Sequence, residues 1–117
     1  MRARSTTSSG SKRSGGGGIA RVWHGVVPAA QGDAYGAYLQ TTGVVDCRAT
    51  AGNRGVQVLR RTVGDTTHFL FISLWDSIEA IRRFAGEDVE RARYYPEDRA
   101  YLVELEPTVL HYDVLES

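Results

Sequence analysis

Apolar and polar positions along residues 19–117 set out six main elements. Residues 19–27 are rich in β-formers, Val22, Trp23, Val26 and Val27 among them, and read as a strand. Pro28 ends it and suits the first turn of a helix. Ala34, Tyr35, Tyr38 and Leu39 recur at helical spacing, which predicts a helix over about 29–42 with Gly43 as its C-cap. Gly32 and Gly36 weaken that helix by about 1 kcal/mol each relative to alanine. Residues 44–54, with Asp46, Gly52 and Asn53 as turn formers, predict a loop. Two strands follow over 55–63 and 66–75, joined by the two-residue hairpin signal Gly64-Asp65. Asp76 stands three residues before Glu79 in the pattern of a capping box. Ile78, Ile81, Phe84 and Ala85 form the apolar stripe of a second helix that Gly86 ends. Short helical turns are expected over 87–93 and from Pro96 towards Leu102, with Asp98 placed to cap the second. After Pro107, residues 108–115 alternate as a last strand. Leu110, Tyr112 and Val114 lie on one face, Val109, His111 and Asp113 on the other.

The order strand, helix, strand, strand, helix, strand predicts an α+β domain with ferredoxin-like βαββαβ topology. Its four antiparallel strands carry the helices on one face. The other face is left bare. A bare apolar sheet face on a chain of 117 residues implies a partner, and a symmetric homodimer is the simplest one.

Composition adds a boundary and several exclusions. Residues 1–18 contain almost no apolar side chains. They hold Arg2, Arg4, Lys12 and Arg13, four of the 14 basic residues, and none of the 14 acidic ones. They are read as a disordered, basic, Ser/Gly-rich tail preceding the domain at 19–117. The domain itself is therefore net acidic and offers no basic footprint for nucleic acid. Cys47 is the single cysteine, so no intrachain disulfide forms. No long apolar run marks a signal peptide or membrane span, and a cytoplasmic location is expected. Three scattered histidines and one cysteine match no zinc-ligand spacing. Gly15–Gly18 lacks the Lys-Ser/Thr and strand context of a phosphate-binding loop. No cofactor is implied by any motif.

Two segments carry a resemblance. The passage Phe69-Leu-Phe-Ile-Ser-Leu-Trp75-Asp-Ser-Ile-Glu-Ala-Ile81 resembles the central motif of the antibiotic biosynthesis monooxygenase family. That family places a Trp at the end of the third strand and an acid-Ser pair at the start of the second helix. The opening Arg21-Val-Trp-His-Gly-Val-Val-Pro28 resembles the family's first strand, which runs into a Pro-led helix. The resemblance spans 19–117. It implies a dimeric α+β barrel with a cavity between sheet and helices in each protomer. Some members oxygenate aromatic molecules without metal or flavin, and others bind and degrade haem. Where members often carry a Glu two residues before the Trp, this chain has Ser73. The haem-degrading branch uses an Asn on the first strand, the Trp and a His beyond the second helix. His24 falls at or near the Asn position, and residues 77–110 contain no histidine, which argues against haem chemistry.

The resemblance therefore implies a cofactor-independent monooxygenase-like enzyme that oxidises a small aromatic or phenolic molecule with dioxygen. A non-catalytic ligand-binding dimer is the alternative. His24 is the first choice for a general base and Trp75 for a stacking platform, although either fits a structural role. Phe71 and Ser73 share the Trp75 strand face. Tyr94 and Tyr95 are placed to cover the cavity mouth. Arg60 and Arg61 point to opposite faces, and an inward Arg60 would meet an anionic substrate oxygen. His68 and His111 are assigned structural roles, and Cys47 is read as a passive thiol.

Overall fold

The computed structural model describes residues 17–117. The predicted tail lies outside the described residues except for Gly17 and Gly18. Those two are tied to the sheet, Gly17 O accepting from Arg54 Nη1 and Gly18 O from the Val114 amide.

Strand β1 (Ile19–Pro28) leads through a 3₁₀ turn (Ala29–Gln31) into α1 (Gly32–Thr41) and α2 (Gly43–Arg48). Strands β2 (Asn53–Val63) and β3 (Thr66–Trp75) form a hairpin, then α3 (Ile78–Ala85), α4 (Asp98–Tyr101) and β4 (Leu110–Asp113) complete the domain. The sheet order is β2-β3-β1-β4, and every pairing is antiparallel. This is the ferredoxin-like order the alternation of elements predicted. Gly64 at φ 60° supplies the left-handed residue that the tight β2–β3 turn needs.

Strand periodicity decides the two faces. Arg21, Trp23, Gly25 and Val27 of β1 and Thr67, Phe69, Phe71, Ser73 and Trp75 of β3 are buried under the helices. Tyr35 and Leu39 of α1, Val44 and Cys47 of α2, and Ala80, Ile81 and Phe84 of α3 close the core from above. Complete burial of side chains such as Ile81 and Val27 stabilises the domain by about 1.5–3 kcal/mol each.

Six local expectations are corrected. Residues 44–54 are not one loop. Gly43, expected as a C-cap, opens α2, because Val44 and Cys47 bury one side of a further turn after the break at Thr42. The cap of α3 is Ser77, whose Oγ accepts from the Ala80 amide at 3.2 Å, while Asp76 pairs instead with Arg54. Residues 87–93 form no helix. Their backbone pairs with the segment before β4, Ala92 N donating to Pro107 O and Val109 N to Glu90 O. The last strand spans only Leu110–Asp113, and Ala34 is exposed on α1.

Candidate functional site

Between the inner sheet face and the helices lies a small cavity of about 40 Å³. Its floor is Arg21, Trp23 and Phe71 from the two central strands. Tyr35 and Leu39 of α1 and Phe84 of α3 form the walls, and the segment Arg93–Asp98 forms the mouth. Gly25 has a specific part in this. The Trp23 ring folds back over it, and a Cβ there would overlap the ring and come within 3.0 Å of Leu102. The glycine thus fixes where the indole lies.

Polar groups hold the mouth in place. The Trp23 indole N–H donates to the Tyr94 hydroxyl at 3.1 Å, and Tyr94 donates to Glu106 O at 2.6 Å. Tyr95 donates through its hydroxyl to Asp46 Oδ2 at 2.5 Å. The buried Asp98 accepts from the Tyr35 hydroxyl at 2.9 Å and from the Tyr95 amide at 2.5 Å. Burial raises the pKa of Tyr35 well above the ordinary phenol value, and the Asp98 charge adds to it. Burial likewise raises Tyr94, and burial with the Asp46 hydrogen bond raises Tyr95. These phenols are neutral donors at physiological pH.

Two guanidinium groups lie near the Phe84 ring. Arg21 lies 5.6 Å and Arg93 4.7 Å from its centroid. Arg93 also donates to Phe84 O at 2.8 Å and meets Asp46 at 3.4 Å. Arg21 is 5% exposed and donates through Nη2 to Arg91 O at 2.9 Å. Its Nε is buried with no hydrogen-bond partner, and among the described residues Arg21 forms no ion pair. Burial lowers the Arg21 pKa, Cys47 raises it and Arg93 lowers it further, although so strong a base keeps its charge at pH 7. Burial pushes the Cys47 thiol up to about 12, against the lowering effect of Arg21.

The residues singled out from sequence fall into four places. Phe71, Tyr94 and Tyr95 line the cavity. Trp75 and Ser73 lie outside its lining. Trp75 is fully buried, its indole N–H donates to Ser73 Oγ at 2.8 Å, and its ring backs Phe84 at 5.8 Å. Arg60 faces the helix side, where it pairs with Asp33 at 2.6 Å on the exposed edge.

His24 points away from the cavity. It follows Trp23 in β1, so the pleat turns it to the bare sheet face. There Nδ1 lies 2.7 Å from Glu106 Oε2 and Nε2 lies 3.1 Å from His68 Nδ1. The expected base is therefore separated from the cavity by the sheet itself. Sequence reasoning left out Arg21, Trp23, Tyr35 and Asp98 as wall residues. For Arg21 a signal existed: it shares the parity of Trp23 and Val27 in a strand whose other parity is Val22, His24 and Val26. For Asp98, the first residue of α4, there was none, because the irregular chain between α3 and α4 decides where that short helix reaches the wall. Among the described residues no group of three or more His, Cys, Asp or Glu side chains is arranged to hold a metal ion.

No protein-family model and no curated protein matches the chain. Solved structures do. One is a Bacillus cereus protein provisionally described as an antibiotic biosynthesis monooxygenase. It superposes with a TM-score of 0.60 at 14% identity, covering 88% of this chain and 97% of that one. Another is the haem degrader MhuD from Mycobacterium tuberculosis, solved with two haems in its active site. Its TM-score is 0.55 at 20% identity, over 85% of this chain and 97% of that one. At these identities the likeness is one of fold: the chain has the same α+β architecture as a monooxygenase-type protein and a haem degrader, with its cavity between sheet and helices.

Proposed function

We propose that the domain is a monooxygenase-like enzyme that oxidises a small phenolic molecule with dioxygen in the sheet–helix cavity. The observation that carries this reading is an aromatic-walled cavity with buried polar groups on its wall, within the fold of a protein described as a monooxygenase. In the reaction a phenol with an open para carbon and one O₂ give a quinone and one water. The substrate supplies all the electrons, so no external reductant enters. Asp98 lines the cavity and retains lone pairs beyond its two hydrogen bonds, so in place of His24 it takes the proton of a phenol that arrives neutral and leaves the ring oxygen in the cavity as phenolate. Trp23 and Phe71 provide flat surfaces, while Trp75 supports Phe84 from behind.

The cavity of about 40 Å³ is well below the roughly 300 Å³ at the lower end of ligand pockets. Entry of a ring therefore requires the segment Arg93–Asp98 to swing aside and release the Tyr94 and Tyr95 hydroxyl contacts. Haem fits this wall poorly. Among the described residues no histidine lines it, and the Cys47 thiol is fully buried and protonated.

The protein acts as a homodimer in this reading. Leu59, Leu70, Leu110 and Tyr112 share the face opposite the helices and are 38–60% exposed. Sheet-to-sheet contact with a second copy removes that surface from water.

Oxygen uptake over a panel of electron-rich phenols, with and without Asp98→Asn and Trp23→Ala, tests the reaction. Uptake equal to buffer for every phenol defeats it. The absence of a histidine on the cavity wall favours the alternative, a non-catalytic ligand-binding dimer. Saturable phenol binding without oxygen uptake would establish that alternative.

A further inference from the structure

We propose that the cavity selects its ligand as an anion, with a phenolate or aromatic carboxylate oxygen paired to the Arg21 guanidinium. This rests on reading the cavity as a ligand site and names the chemical class it takes.

Arg21 is a cation held out of water with one hydrogen bond, to Arg91 O, and an unpartnered Nε. A buried charge is ordinarily paired, because desolvation without a counter-ion is costly. Among the described residues none supplies a counter-ion here. Asp98 is the one acid on the cavity wall, and the Tyr35 hydroxyl and Tyr95 amide engage it. Asp46 is taken by Tyr95 and Arg93. Arg93, 4.7 Å from the Phe84 centroid, is already paired with Asp46, so of the two cations on the cavity wall Arg21 is the one left without a carboxylate partner among the described residues. The missing partner is an anionic oxygen carried on a ring that stacks among Trp23, Phe71 and Phe84. The movement of Arg93–Asp98 that admits a ring also loosens the neighbouring Arg91 carbonyl and uncovers the guanidinium. A planar guanidinium fork suits an oxyanion better than an ammonium does.

The test uses the full chain and two probes, 4-nitrophenol and its uncharged methyl ether 4-nitroanisole. At a pH where 4-nitrophenol is half ionised, adding excess protein is expected to intensify the phenolate absorption band. The phenolate is expected to bind about tenfold to hundredfold more tightly than the ether. The Arg21 Nε–H proton resonance should move downfield on binding. Arg21→Met is expected to abolish the band change while keeping ether binding, and Arg21→Lys to restore part of it. Equal binding of both probes with no band change overturns the proposal and leaves the cavity reading intact. Binding of neither probe overturns the cavity reading and the proposal with it. The wild-type comparison decides the matter even if Arg21→Met fails to fold.

Discussion

Removal of the Asp98 carboxylate is the sharpest test of how the cavity mouth is held. Asp98 is 3% exposed and Tyr35 1% exposed, so neither has water as a substitute partner. Asp98→Ala strips the acceptor from the Tyr35 hydroxyl at 2.9 Å and from the Tyr95 amide. Each hydrogen bond to a charged group contributes about 1.5–3 kcal/mol. Relief of the carboxylate's own desolvation offsets part of the loss, leaving a net cost of about 2–4 kcal/mol. Tyr35→Phe breaks one of the two bonds and costs about 1.5–3 kcal/mol. The double variant should cost less than the two single losses combined, with a coupling of about 1.5–3 kcal/mol between these contacting groups. Urea unfolding followed by tryptophan fluorescence, at one fixed protein concentration for all four proteins, measures this cycle. A coupling below about 0.5 kcal/mol would refute the account, since it would mean the Tyr35 hydroxyl finds another partner at no cost.

Three further outcomes are expected. Gly25→Ala should destabilise the domain by about 1–3 kcal/mol by driving the Trp23 ring off its seat, with near-UV circular dichroism reporting the displacement; an unchanged spectrum and midpoint would contradict the packing argument. Stability should fall as pH rises above about 9, because the unfolded chain releases the Cys47 proton at its ordinary value of 9.0 while the folded chain holds it to about 12. The unfolded state binds fewer protons in that window, so the stabilisation is complete below pH 9. It is lost at about 1.4 kcal/mol per pH unit, and Cys47→Ala should flatten urea midpoints measured between pH 8 and 10. Leu70→Glu places a charge at the middle of the bare face, between Leu59 and His24, and should convert the proposed dimer to monomer in sedimentation velocity; a wild-type protein already monomeric at high concentration would remove the basis for that interface.

Much of the architecture was legible because it depends on local periodicity. A period of two in 19–27 and 66–75, the Gly64-Asp65 turn and the apolar stripe of Ile81 and Phe84 fix each element and its buried side. The same alternation separates Trp23 from His24 across the sheet. What the linear pattern left open was which side of the sheet holds the cavity, and so which of those two neighbours belongs to it. The helices decide that, by packing Tyr35 and Phe84 over the Trp23 side. The short helix Gly43–Arg48 and the extended run near Arg91 escaped local reasoning. Each is stabilised by partners far along the chain, the core around Cys47 in one case and Pro107 and Val109 in the other. The buried Asp98 and the unpartnered Arg21 Nε are of the same kind. Their charge is written in the sequence, but exclusion of water and the choice of partner exist only once distant segments have closed around them.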